Sequence, residues 1–219
     1  TANDFTGVVN VTGMATTIKD ANNIDLGEVS ISTLDLVAGG SVTDAVTVSG
    51  VKVSGITKVS AGTNIILNSP SNVFGDSTEL NYSAFTAGNK VIIVEDDKVR
   101  ANVVAKSLQV KGTTGIELDD GSAITSLAAS SDTGSIKLLN TGGLSIDDFS
   151  TDSDLALDGV ELKSGTAEEG KIDIQTKSPI TVNAPITNSG EGQIILAALG
   201  KEATDDITIN SSISGDDLK

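Results

Sequence analysis

A chain that writes Gly170-Lys171-Ile172-Asp173-Ile174 and then Gly192-Gln193-Ile194-Ile195-Leu196 has few folds open to it. The first block is followed by Ile180-Thr181-Val182-Asn183 and Ile186-Thr187, the second by Ile207-Thr208-Ile209-Asn210 and Ile213-Ser214. The opening block recurs after 22 residues and the later ones after 27, so about five extra residues enter the second copy around Leu199 to Asp205 and read as a protruding loop. An earlier copy is Gly134-Ser135-Ile136-Lys137-Leu138 with Leu144-Ser145-Ile146, where the strand starts stand eight residues apart, as from Ile172 to Ile180; Ile116 to Ile124 reads as the same step again. A unit of two or three tiny strands in roughly 20 to 25 residues cannot close its own core and must stack on its neighbours. Stacking sets each strand beside its equivalent about 4.8 Å away. It predicts parallel pairing, with Ile172 beside Ile194, Thr181 in register with Thr208, and Asn183 beside Asn210 with laddered amides.

The same rhythm of short apolar alternations runs along the whole chain, in Val46-Thr47-Val48, Val51-Lys52-Val53, Ile65-Ile66-Leu67, Val91-Ile92-Ile93, Leu108-Gln109-Val110 and Val160-Glu161-Leu162. Each is too short for a helix and can bury one face only. Ile and Val together outnumber Leu 41 to 17, a balance that favours pleated strands. The reading is an all-β chain, a single continuous parallel β-helix, or β-solenoid, over residues 1–219 with roughly 9–10 coils of about 20–25 residues each. A β-sandwich ranks behind it, because a sandwich needs longer strands joined by hairpins. The clearest short repeats cover 134–215, and a looser echo between Ala2-Asn3-Asp4-Phe5 and Ser71-Asn72-Val73-Phe74 marks a longer super-repeat over 1–70 and 70–140. Pro70, Pro179 and Pro185 fall at strand edges or corners, where a missing N–H does little harm.

With no His and no Cys, the chain has no imidazole triad, thiol nucleophile, iron–sulfur cluster or structural zinc of the usual kind. Thirty acids against fourteen bases give a formal charge of −16, and Arg100 is the only arginine, so phosphate backbones and anionic lipid are repelled and no nucleic-acid partner is expected. No apolar run approaches the roughly 18 residues of a membrane span. Thr1 to Phe5 lack the regions of a signal peptide, and the chain reads as a mature or excised segment.

The stretches NDFTGVVNVTG at 3–13, DLVAGGSVTDAVTVSGVKVSG at 35–55, SAGTNIILNSPSNVFG at 60–75 and GKIDIQTKSPITVNAPITNSGEGQIIL at 170–196 resemble the repeat region of filamentous-haemagglutinin-like adhesins and related large bacterial surface proteins with β-strand repeats. The resemblance implies that the β-helix is right-handed and that its setting is the outside of a Gram-negative cell. That family's secretion module carries Asn-Pro motifs, and none of the three prolines here follows an asparagine. The chain is thus more like shaft than secretion signal, and no functional residue is carried over.

Carboxylates are the abundant ionisable groups. Asp147, Asp148, Asp152, Asp154 and Asp158 form the densest cluster, the candidate calcium ligands, since hard cations take oxygen donors; the spacing is not an EF-hand. The pairs Asp96-Asp97, Asp119-Asp120, Asp205-Asp206 and Asp216-Asp217 read as turns. Tyr82 and Phe85 are weighed as an exposed contact patch against packing inside the coils. A polysaccharide-active enzyme would place two carboxylates across a glycosidic bond, but five aromatics offer little to stack on sugars. The expectation is a non-catalytic structural or adhesive shaft at the bacterial surface, without a cofactor unless calcium fills the acidic cluster. Its partner is a host-cell, surface or polysaccharide ligand; the alternative is a filament subunit that forms a homopolymer through solenoid ends.

Overall fold

A computed structural model describes residues 3–44, 49–75, 83–202, 204–215 and 217–218. Val46-Thr47-Val48, Tyr82 and Asp216 lie outside the described residues. All regular structure among the described residues is strand, and every strand-to-strand pairing is parallel. The strands form three ladders. The first runs through Ala15–Asp20, Thr33–Ala38, Thr57–Ala61, Ser83–Ala87, the first halves of Val99–Gly112 and Ile116–Ser131, then Ile136–Asn140, Ile172–Thr176, Gln193–Ala198 and Asp217–Leu218. The second runs from the start of Ile24–Ile31 through Val42–Asp44, Ile65–Leu67, Lys90–Glu95 and the second halves of the two long strands to Leu144–Ile146, Ile180–Val182 and Ile207–Ile209. The third takes in Val9–Thr12, the end of Ile24–Ile31, Val51–Val53, Val73–Phe74, and later Val160–Leu162, Ile186–Asn188 and Ile213–Ser214.

Side chains alternate across each strand, so one row points inward and stacks on its own kind. In the second ladder Ile24, Val42, Ile65, Val91, Leu108, Leu127, Ile146, Val182 and Ile209 stand in one in-register column, and all but the last are fully buried. Each buried aliphatic contributes about 1.5–3 kcal/mol relative to exposure. In the first ladder Phe85 stands between Val59 and Val103 and meets Phe74 edge-on at a centroid distance of 5.5 Å. Phe85 is therefore a core residue and not part of a contact patch.

The expected neighbours in the C-terminal repeat meet: Ile172 pairs with Ile194, Thr181 with Thr208, and Asn210 Nδ2 donates to Asn183 Oδ1 at 2.9 Å. The step from Ile116 does not end on Ile124. Register breaks between Leu118 and Ser122, so that Ser126 and not Thr125 faces Ser145; Ile124 falls one place short of the second ladder and donates its N–H to the Asn140 side chain. Asp119 and Asp120 lie at that break, within the Ile116–Ser131 strand and not in a turn. Layer length is less regular than expected. Partners in the first ladder lie 18 residues apart from Ile18 to Leu36 but 36 apart from Leu138 to Ile174, because surplus residues leave at the corners.

Those corners use small or amide side chains. Ala38, Ala61 and Ala87 pair in register, and the following Gly39, Gly62 and Gly88 turn the chain. A Cβ on Gly62 would stand 2.1 Å from the Gly39 carbonyl oxygen, so the backbones approach too closely for any other residue. Buried Asn188 bridges the backbone of two layers, donating to the Gly170 and Gly192 carbonyls at 2.8 and 2.9 Å. Asn140 does the same for the Ile124 and Gly142 carbonyls. The amides thus satisfy the backbone where strand pairing stops.

Candidate functional site

Most of the surplus in the 36-residue layer is the loop that carries the acidic cluster, and the rest lies between Leu162 and Ile172. Residues 147–159 leave the second ladder after Ile146 and rejoin the third at Val160. The neck is pinched shut by the Gly159 N–H donating to the Asp147 carbonyl at 3.2 Å, and the isolated antiparallel bridge between Asp148 and Asp158 continues the closure. Gly159 sits at φ +68°, and a Cβ there would stand 2.0 Å from the Pro185 carbonyl oxygen. From this neck the loop folds back as a strap. At its tip Asn68 Nδ2 donates to the Asp154 carbonyl at 2.8 Å, Lys90 Nζ reaches Asp154 Oδ2 at 2.6 Å and Asp152 Oδ2 at 3.1 Å, and Gln109 Nε2 donates to Asp152 Oδ2 at 2.6 Å. Ile66, Ile92, Gln109 and Ala128 form one outward row across four layers, and Ile92, Gln109 and Ala128 are wholly buried although they face away from the core.

The five acids therefore divide instead of converging. Asp152 and Asp154 hold Lys90. Asp148 accepts from the Ser150 N–H at 2.7 Å in a local turn. Asp147 binds further along the same outward row that Lys90 begins, accepting from Ser126 Oγ, from Ser145 Oγ at 2.6 Å and from Asn183 Nδ2 at 3.0 Å. Asp158 contributes its backbone to the neck. Among the described residues no three acidic side chains gather as a metal-ligand group. Burial pushes the Asp147 carboxyl up, but its three side-chain donors outweigh burial and leave it below the ordinary range. Asp152 behaves alike: burial opposes its charge, and the Asp154 N–H, Lys90 and Gln109 more than compensate. Burial likewise works against the Lys90 charge, yet the two carboxylates hold its pKa above the usual value.

Two further groups of polar residues were not singled out by sequence reasoning. Arg100, Glu117, Lys137 and Asp173 stand in register on the outer face of the first ladder, alternating in sign, with Glu117 at 3.3 Å from Arg100, 2.9 Å from Lys98 and 3.9 Å from Lys137. Opposite charges facing across neighbouring strands support the register. Inside the stack, Asp44 accepts from Asn72 Nδ2 at 2.6 Å, and burial raises its pKa despite that bond. Glu95 is 4% exposed; burial raises its pKa to about 8, although Oε1 accepts from the Phe74 N–H at 2.9 Å, and the nearby Asp97 charge adds to the rise. Their signal was an acid at a position where the alternation demands an inward side chain.

A shallow groove of about 500 Å³ lies beside the corner between the first and second ladders, lined among others by Ile124, Thr125, Thr141, Ser145, Pro179 and Thr181. Among the described residues no carboxylate lines it, so they do not supply it with the acid pair of a glycosidase.

A family model described as "Repeats of unknown function" (DUF5649) matches residues 13–81. That stretch contains the Ala-Gly corners at 38–39 and 61–62 and the layers between them, in keeping with an all-β repeat protein. No curated protein and no solved structure is matched.

Proposed function

We propose that this chain is a structural, non-catalytic segment of a bacterial surface protein: a right-handed parallel β-solenoid that serves as a stiff, acidic, extracellular shaft of the adhesin type. The observation that carries this reading is the continuity of the first and second parallel ladders around one apolar core, layer after layer, with side-chain pairs such as Asn183–Asn210 and Arg100–Glu117 bridging successive layers. A net charge of −16 keeps such rods apart laterally.

A second reading, a filament subunit joined end to end with its copies, draws on the outer layers. Among the described residues Ile207 and Ile209 pair on one side and are 39% and 57% exposed, and in the first layers Val8 and Met14 are 51% and 79% exposed. Open strand edges flanked by apolar side chains favour pairing with a further layer. Negative-stain electron microscopy of the purified 219-residue chain, with and without a chelator, separates the readings. Isolated rods about 45 to 50 Å long, as roughly ten layers at about 4.8 Å imply, support the shaft. Fibres of constant width support the filament, fibres lost in chelator assign calcium to the acidic residues, and compact globules overturn both.

A further inference from the structure

The 147–159 strap is built as a separable part. Its neck is closed by its own backbone, through the Gly159 to Asp147 bond and the Asp148–Asp158 bridge, and its interior adds the Phe149 N–H to the Leu157 carbonyl at 2.7 Å and the Asp152 N–H to the Phe149 carbonyl at 2.9 Å. Beyond the neck, among the described residues, its hydrogen bonds to the stack run through the side chains of Asn68, Lys90 and Gln109. The ladders on either side are complete without it: Leu144–Ile146 pairs with Ile180–Val182, and Val160–Leu162 with Ile186–Asn188. A loop with closed ends and few side-chain attachments opens locally at far lower cost than the strands beneath it.

Two opposed terms act on the closed position. Covering Ile92 removes apolar surface from water, and Lys90 ties the tip by two carboxylates. Against them, Gln109 is wholly buried and its Oε1 has no hydrogen-bond partner among the described residues, so closure costs that carbonyl its hydration. We propose that the strap is a hinged cover latched by Lys90, which opens about the 147/159 neck and uncovers the Ile66–Ile92–Gln109–Ala128 row while the stack stays folded.

The test is hydrogen exchange by mass spectrometry together with limited chymotrypsin cleavage at Phe149, Leu155 and Leu157, on the full chain. The K90Q variant removes the latch charge, and D154N removes one of its partners in case K90Q folds poorly. Loss of a charged hydrogen-bond pair at a half-buried site raises the open population by about tenfold. The expected result is strap exchange and cleavage faster by about that factor in either variant, with protection of the strands around Leu108, Ile146 and Ile186 unchanged. In the wild-type chain, salt at about 1 M, where the Debye length falls to about 3 Å, accelerates the strap alone. Unchanged strap rates, or equal acceleration of strap and strands, overturn the proposal, since the strap would then open only with the stack.

Discussion

Replacing Glu95 with glutamine makes the chain more stable in alkali and leaves it nearly unchanged in acid. Glu95 lies 4% exposed beside Phe74, and burial raises its pKa from 4.5 to about 8. A carboxyl whose folded pKa exceeds its unfolded value binds its proton more tightly in the native state. Its contribution is fully present below about pH 4.5 and is lost as pH rises through about 8. At about 1.4 kcal/mol per unit, the loss approaches about 4–5 kcal/mol above the folded pKa and about 3 kcal/mol at pH 7. The substituted amide keeps an oxygen for the Phe74 N–H, which lies 2.9 Å from Oε1 of Glu95, and has no proton to lose. Urea unfolding of both chains, followed by circular dichroism at pH 5, 7 and 9, should give curves that nearly coincide at pH 5 and separate by several kcal/mol at pH 9, E95Q being the more stable. At about 2–4 °C per kcal/mol the melting temperatures then differ by about 10 °C or more. Taking the difference between variants cancels Asp44, whose pKa burial also raises. A difference that is constant from pH 5 to pH 9 would refute a native state that keeps Glu95 neutral.

Leu108→Ala removes a wholly buried side chain between Val91 and Leu127 and should cost about 2–5 kcal/mol in urea unfolding. Because each layer contacts only its neighbours, hydrogen exchange should rise first around Val91 and Leu127; uniform loss across all layers would argue for a single cooperative unit. Gly62→Ala sets a Cβ against the Gly39 carbonyl oxygen and should destabilise by at least about 1–3 kcal/mol, whereas Gly142→Ala, with open space around it, should be close to neutral in the same assay.

The C-terminal layers were readable because identical residue types recur at the strand positions: a row of Ile or Val spaced by one coil can be aligned by eye, and Ile172 does pair with Ile194. The N-terminal layers carry an equally plain mark, the Ala-Gly corners at 38–39, 61–62 and 87–88, which a search for apolar alternation passes over because small residues carry no hydrophobic signal. The missed step from Ile116 has a similar origin. Two surplus residues before Ser122 and one omitted before Ser126 shift the register by one place, and nothing in the alternation marks the break.

The acidic cluster shows the boundary between the two kinds of information. Local sequence placed five aspartates in one loop and left their partners open, since a carboxylate takes a cation of either kind, metal or ammonium. Lys90 lies 62 residues before Asp152, and only the stacking of layers carries it to the strap. The chain alone determined that it would form short strands stacked in parallel, because tiny one-faced strands bury nothing unless they repeat. Tertiary structure decided where surplus residues leave the stack, which acids are buried, and which charge meets which. Those outcomes depend on register summed over several layers, and a one-residue shift turns a side chain from solvent to core.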